Sequence, residues 1–234
     1  MIESNHQFMA SSTKAMQAGL FGKGIANSKT PILHETEGRV QGIAYRYNLL
    51  DTDTDDFCEF SPSMMLEMVE KKGYSGINVT YPYKTEIIPL LDDLSESASK
   101  IQAVNAVVFQ NNRRIGHNTD YSGFKAAFNR IKTDINYRTV LQLGAGGAGS
   151  SVAFALADSG VKELVLFDTD LDKAQSLADR IMELGTQASV RALAAIDNIN
   201  QETLDGIVNT TPIGMDKLPG SPLEIENFSP SVWV

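Results

Sequence analysis

From Thr139 onward the chain alternates in a way that leaves few folds open. Thr139-Val140-Leu141-Gln142-Leu143 is a short, mostly apolar run, residues 144–149 are four glycines and two alanines, and residues 150–159 have helical composition. Leu164-Val165-Leu166-Phe167-Asp168 is a second apolar run, and it ends on an acid. Strand, glycine turn, helix and strand make a βαβ unit, whose two strands lie parallel in one sheet with the helix packed across it. The expected class is therefore α/β, with a parallel, doubly wound sheet in the C-terminal half.

The rest of the chain has room for a second body. Its 234 residues fit one large domain or two small ones at roughly 100–200 residues each. Hydrophobic residues make up 42%, enough for a buried core. With 20 Lys and Arg against 29 Asp and Glu, the net charge of −9 argues against a phosphate-backbone partner, and no nucleic acid is expected. Cys58 is the one cysteine, so neither an intrachain disulfide nor a cysteine metal cluster can form. His6, His34 and His117 stand apart, and no metal is expected. Serine hydrolysis lacks its G-x-S-x-G elbow. No run approaches the roughly 18 apolar residues of a membrane span. The opening Met1-Ile2-Glu3-Ser4-Asn5-His6-Gln7 has neither the positive start nor the apolar run of a signal peptide. A cytoplasmic protein that touches no membrane is expected.

Residues 1–19 are polar and small, and read as a frayed tip or a short helix. Leu20-Phe21-Gly22 reads as a buried strand entering a loop of small residues, with Thr30 as the N-cap and Pro31 in the first turn of a helix. Residues 43–49 have strand character. Ser61 and Pro62 open a helix that Gly73 closes, and Met65, Leu66, Met68 and Val69 form its apolar stripe. Residues 76–80 predict a strand and 84–91 a helix. Residues 104–110 and 113–117 predict a hairpin that turns on Asn111-Asn112, residue types that tolerate positive φ. Residues 120–131 predict a connector helix with Phe124, Ala127, Phe128 and Ile131 on one face. Ser231-Val232-Trp233-Val234 reads as a strand just begun, so the chain is expected to be incomplete at its C-terminus.

Gly144-Ala145-Gly146-Gly147-Ala148-Gly149 fits G-x-G-x-x-G. In a βαβ unit Gly144 allows the tight turn, Gly146 leaves room for a pyrophosphate against the backbone, and Gly149 lets helix and strand pack closely. The anion then meets the free N–H groups and the dipole of the helix N-terminus. Asp168 lies near the roughly 20-residue spacing of the acid that binds an adenosine ribose. A carboxylate there accepts hydrogen bonds from the 2′- and 3′-hydroxyls and repels a 2′-phosphate. The residues that follow, Thr169, Asp170 and Leu171, supply no arginine. NAD is expected in preference to NADP. Lys84 follows the strand over 76–80 after a Tyr81-Pro82-Tyr83 bend, and Asp120 opens the connector helix. Both places suit one cleft, but periodicity does not bring the two charges together.

Six motifs occur in order between Asn27 and Met215, within a likeness that runs from about Leu20 to the last residue. They are Asn27-Ser28-Lys29-Thr30-Pro31-Ile32-Leu33-His34, Gly76-Ile77-Asn78-Val79-Thr80-Tyr81-Pro82-Tyr83-Lys84, Ala103-Val104-Asn105-Ala106, Gly116-His117-Asn118-Thr119-Asp120, the 144–149 fingerprint, and Asn209-Thr210-Thr211-Pro212-Ile213-Gly214-Met215. In these the chain resembles the shikimate dehydrogenase family, and within it the NAD-linked quinate/shikimate branch. The resemblance implies an α/β substrate-binding lobe over residues 1–119 and a Rossmann lobe over 120–234. It implies reversible, NAD-dependent oxidation of quinate or shikimate to the 3-dehydro acid. Ser28 and Thr30 would then bind the substrate carboxylate, with Asn78, Thr80 and Asn105 near the ring. Lys84 and Asp120 would contact the reacting hydroxyl and its neighbour, while Asn209, Thr210, Thr211, Pro212 and Met215 would join the cofactor site.

A lysine serves as base only where burial lowers its pKa, and a nearby carboxylate raises it, so the pair is expected to act as a proton-handling dyad with the base unassigned. Shikimate-specific members usually carry Ser where Thr30 stands, and Thr resembles the broader quinate/shikimate type. The family's closing segment, a Gln and a helix returning to the first lobe, has no counterpart in the sequence. His34 falls in the first motif and is expected to be structural. Two other activities share these residues: a shikimate-only or aminoshikimate-type dehydrogenase, and a ligand sensor without turnover, which would need no proton dyad. The partner expected is a small hydroxy-cyclohexane or cyclohexene carboxylate, bound by a monomer or homodimer.

Overall fold

The computed structural model describes residues 15–215, 218–224 and 228–234. Within them the strands gather into two sheets. The first half runs β1 (Met16–Gly22), α1 (Thr30–Val40), β2 (Tyr45–Asp51), α2 (Pro62–Lys71), β3 (Gly76–Val79), β4 (Asp93–Leu94), α3 (Glu96–Ile101), β5 (Ala106–Gln110) and β6 (Arg113–His117). Its sheet is mixed, in the order β2-β1-β3-β5-β6-β4. After α4 (Thr119–Ile131) come β7 (Thr139–Leu143), α5 (Gly147–Asp158), β8 (Glu163–Phe167), α6 (Leu171–Glu183), β9 (Ser189–Ala192) and β10 (Gly206–Asn209). These strands pair in parallel, in the order β10-β7-β8-β9. The α/β class and the βαβ unit are as the sequence predicts.

The parallel sheet is buried on both faces, and its side chains alternate with period two. Val140, Leu164, Leu166 and Val190 pack with Ala153, Phe154, Ala174, Leu177 and Ile181 of the helices. Leu141, Leu143, Val165 and Ile207 face the other way, against Leu193, Ile199 and Leu204. On α6 the buried residues are Ala174, Leu177, Ala178 and Ile181, a single helical stripe. Ser61 caps α2 by accepting from Met64 N, and Met65, Leu66 and Val69 are buried, with Met68 partly so. Asn111 and Asn112 turn the β5–β6 hairpin at φ of 53° and 57°. Among the described residues no helix is long and apolar enough to cross a membrane.

Several local expectations need correction. The part of the tip that falls on residues 1–14 lies outside the described residues, and residues 16–19 are strand: Met16 to Gly19 pair in parallel with β2. Thr30 is the first helical residue of α1, and Lys29 is the N-cap. No α-helix forms over 84–91, where Ile88–Leu90 makes a short 3₁₀-helix. Pro89 explains this: it lacks the N–H and its ring obstructs the preceding turn. The strand read over 43–49 begins at Tyr45 and runs on to Asp51. The hairpin's first strand begins at Ala106, because Val104 N–H bonds Lys84 O and Asn105 N–H bonds His117 O. On α4 Phe128 is buried with Phe124 and Tyr121 beside it, whereas Ile131 is 52% exposed and Ala127 also faces out. The terminal segment does touch the sheet, since Trp233 bridges to Gly206 and Ile207 N–H donates to Trp233 O.

Candidate active site

Strand direction brings the residues of the first sheet to one edge. β1 and β3 are parallel, and both end there, at Gly22 and Val79. β5 is antiparallel to β3, with Asn78 opposite Ala106, so Asn105 sits where β3 finishes. β6 returns antiparallel to β5, with His117 opposite Ala106, and delivers Asn118, Thr119 and Asp120 to the same edge. The Lys84 carbonyl accepts from Val104 N–H at 2.8 Å, which pins the loop after β3 against the start of β5.

At this edge Lys84 Nζ donates to Asp120 Oδ2 at 2.5 Å. The lysine side chain is 15% exposed and the aspartate 36%. Asn105, 7% exposed, braces the carboxylate by donating from Nδ2 to Asp120 Oδ1 at 2.7 Å. Its Nδ2 also donates to Thr119 Oγ1 at 2.9 Å, while its Oδ1 accepts from Thr119 N–H at 2.8 Å. Both ends of the Asn105 amide are therefore engaged within the protein, and the residue fixes Asp120. Asn78 is oriented from the opposite side. Tyr47 OH donates to Asn78 Oδ1 at 2.7 Å, and Asn78 Nδ2 donates to Asn105 O at 3.3 Å. Burial, then the neighbouring Tyr45, pushes the Tyr47 hydroxyl far above the usual tyrosine value, so it stays a neutral donor. An amide nitrogen has two hydrogens, and one remains on Asn78 for a ligand. Thr80 follows β3 and packs against Gly22, where an added Cβ would lie 2.3 Å from the Thr80 methyl.

Ser28 and Thr30 stand together, their hydroxyl oxygens 2.8 Å apart at the start of α1. The loop leading to them is held by buried Asp51, whose two oxygens accept from Gly24 N–H and Ile25 N–H, each at 2.7 Å. They connect to the Lys84 cluster through α1, where His34 stacks on Tyr47 with ring centroids 4.4 Å apart. Burial lowers the His34 pKa.

The second sheet faces this edge with the ends of β7, β8 and β10. Gly144 takes φ +95°, and a Cβ on Gly149 would lie 2.4 Å from Gly144 O, so the turn needs both glycines. A Cβ on Gly146 would meet nothing within 4 Å, and Gly146 and Ala148 are exposed while Gly144, Ala145 and Gly149 are buried. The outer side of the turn is thus open, as a pyrophosphate cradle requires. Asp168 Oδ2 accepts from Ala145 N–H at 2.7 Å and Oδ1 from Asp170 N–H at 3.0 Å. Carboxylate lone pairs remain for further donors. Gly147 brings the two halves together: a Cβ there would sit 3.0 Å from Lys84 Cβ. Buried Asn118 and Ser151 join α4 to α5, with Asn118 Nδ2 2.9 Å from Ser151 Oγ.

After β10 the structure is less uniform. Thr210 Oγ1 turns inward, 2.7 Å from Leu143 O and 3.0 Å from Gly144 O. Asn209 Oδ1 accepts from Thr211 N–H and Oγ1, and its Nδ2 donates to Ile213 O, so Asn209 and Thr211 shape the loop. Pro212 and Met215 are exposed on it. Among the described residues no group of three or more His, Cys, Asp or Glu is placed to hold a metal. Tyr47, Asn118 and Ser151 were not singled out from the sequence. Asn118 had a signal, as an N-cap before a helical run; Tyr47 and Ser151 had none, being ordinary in a strand and in a helix.

Comparison with known proteins matches residues 20–107 to the model described as shikimate dehydrogenase substrate binding domain. A quinate/shikimate dehydrogenase (NAD(+)) of Corynebacterium efficiens is 40% identical over 221 residues, covering 92% of this chain and 77% of that protein. A shikimate dehydrogenase (NADP(+)) of Pseudarthrobacter chlorophenolicus is 39% identical over 227 residues, 97% of this chain and 78% of that protein. The solved structure of a quinate dehydrogenase from Corynebacterium glutamicum in complex with NAD superposes with a TM-score of 0.84 at 37% identity, covering 94% of this chain and 79% of that one.

Proposed function

The chain belongs to the shikimate dehydrogenase family, and we propose that it oxidises quinate and shikimate to their 3-dehydro acids with NAD, using Lys84 and Asp120 to handle the proton. Residues 1–119 act as the substrate lobe and 120–234 as the dinucleotide lobe. The observation that carries this is the Lys84–Asp120 ion pair, braced by Asn105 and lying against Gly147 of the glycine turn. Lys84 of the substrate lobe thereby meets Asp120, the first residue of the dinucleotide lobe, beside the cofactor turn.

Bound NAD supplies a hydride acceptor, C4 of its nicotinamide. Gly146, Gly147 and Ala148 would hold its pyrophosphate at the α5 N-terminus, and Asp168 its adenosine ribose. The related proteins divide between NAD and NADP by name. Asp168 supports NAD, since its fixed carboxylate repels a 2′-phosphate. Ser28 and Thr30 offer hydroxyls to the substrate carboxylate beside the α1 N-terminus, and Asn78 offers its remaining N–H to a ring hydroxyl. When the carbinol carbon gives up its hydride, the hydroxyl proton passes to the Lys84–Asp120 pair, leaving a ketone. The pair orients that hydroxyl before the step and holds the proton after it.

The test is to mix the protein with NAD and either acid, and to follow the near-ultraviolet absorbance of the reduced nicotinamide. Both acids are expected to be oxidised, with NAD giving the higher kcat/KM. No reduction of either nicotinamide cofactor by either acid would overturn the proposal.

A further inference from the structure

One of the two inner strands of the parallel sheet, β7, carries a wholly buried amide. Gln142 is 0% exposed and lies in β7 on the face that α5 covers. Its Nε2 donates to Gly144 O and to Gly149 O, each at 2.9 Å. Its Oε1 has no hydrogen-bond partner. Two carbonyls at the nitrogen fix the orientation of the amide, because the flipped amide would set oxygen against oxygen. An orphaned acceptor in a packed core is a cost to the fold, and an apolar side chain of the same length would remove it.

What the amide holds is a single peptide plane. The Gly144 carbonyl meets Gln142 Nε2 at one side and Thr210 Oγ1, 3.0 Å away, at another. The N–H across the same peptide bond, that of Ala145, donates to Asp168 Oδ2 at 2.7 Å. Side chains from β7, from the end of β8 and from the end of β10 therefore clamp the Gly144–Ala145 peptide at both its oxygen and its nitrogen. A peptide unit is planar, so a rotation permitted at the oxygen swings the N–H away from Asp168. The carboxylate would then lose the bond that holds it toward the turn.

We propose that Gln142 is a positioning residue for the dinucleotide and that, through the Gly144–Ala145 peptide, it sets Asp168 and hence the choice between NAD and NADP. This rests on the reading that the turn binds NAD. Gln142 itself touches no ligand: it holds the turn shut between β7 and α5, and the turn holds Asp168.

The experiment is a fluorescence titration of NADH and NADPH with wild type, Gln142→Met, Asp168→Ala and the double variant, together with their melting temperatures. Methionine keeps the length and burial of the side chain and removes both donors and the orphaned oxygen. NADH binding should weaken by about 5- to 20-fold in Gln142→Met, the lower part of the range that two lost neutral hydrogen bonds span, because the bonds are internal and reach the ligand only through the turn. NADPH binding should change less, so the preference for NADH falls, while the melting temperature is not lowered. In the Asp168→Ala background, Gln142→Met should no longer alter the preference, the coupling expected when one residue acts through another. Equal losses for both cofactors together with a lower melting temperature would make Gln142 a structural strut and overturn the proposal, as would unchanged binding. A wild-type protein that binds neither cofactor would overturn both this inference and the dinucleotide reading beneath it.

Discussion

Replacing Lys84 by methionine separates the chemistry of the ion pair from its place in the fold. Methionine keeps an unbranched stem where Lys84 approaches Gly147, and removes the ammonium that donates to Asp120 Oδ2. The stability cost follows from exposure. Asp120 is 36% exposed, so water screens the pair and rehydrates the freed oxygen, while Asn105 still donates to the other one. The loss should be about 1 kcal/mol, the upper end for a partly exposed pair. For a chain of this length that is a fall in Tm of about 2–4 °C. The kinetic cost is larger, because the pair that orients the reacting hydroxyl and takes up its proton loses one of its two members: kcat should fall by about 10²–10⁴-fold. At about 1.36 kcal/mol per tenfold, this removes roughly 2.7–5.4 kcal/mol of transition-state stabilisation. Steady-state kinetics, NADH titration and thermal melts on one preparation give all three quantities, with NADH affinity expected to change little. A kcat within threefold of wild type would refute the assignment of the proton to this pair.

Asp168→Ala should weaken NAD and relax the discrimination against NADP, measured as the ratio of kcat/KM for the two cofactors; a wild type more efficient with NADP would contradict the role given to Asp168. Thr30→Ser removes a methyl that restricts the hydroxyl's direction, and should shift the quinate-to-shikimate ratio of kcat/KM toward shikimate; an unmoved ratio would mean that Thr30 does not set substrate range. At the contact between α3, α4 and α5, burial alone would raise the Asp158 carboxyl, but hydrogen bonds and charge from Lys100 and the hydroxyl of Tyr121 outweigh it and hold the carboxyl below its usual value. A lowered folded-state pKa adds stability that is present above the unfolded value and lost as pH falls through the folded one. The Tm gap between wild type and Asp158→Asn should therefore shrink as pH drops below about 4, and a gap independent of pH would refute the linkage. Tyr121 carries the opposite sign: burial, then the bond to Asp158, raises it to about 12. Its contribution is present below the unfolded value near 10 and lost as pH rises from about 10 to 12, visible as a steeper alkaline loss in wild type than in Tyr121→Phe.

What the sequence made legible is what local physics decides. The fingerprint between two apolar runs leads to a turn, a helix and a parallel pair, because Gly144 and Gly149 meet steric demands within a few residues of one another. Asn111 and Asn112 mark the hairpin for the same kind of reason. The Lys84–Asp120 pair was not legible from residue pattern alone. Thirty-six positions separate the two, and they meet because β5 runs out from the β3 end and β6 returns to it. Family resemblance supplied the pairing that periodicity withheld. Pro89 was readable as a helix breaker, yet the apolar residues around it suggested helix over 84–91. Asn105 was expected near the ring, and the bracing of Asp120 that it also provides was not legible, because it depends on Thr119 and Asp120 arriving from another strand. Gln142 stood in plain view as the one amide in an apolar strand, but its task appears only once Gly144 O and Gly149 O are in place.

The most direct measurement follows a deuterium placed on the carbinol carbon of quinate and of shikimate while each is oxidised with NAD. The account predicts that the deuterium is recovered in the reduced nicotinamide, that the rate shows a primary isotope effect when hydride transfer limits, and that Lys84→Met slows the reaction without changing where the deuterium goes. Deuterium released to water, or no reduced NAD from either acid, would contradict it.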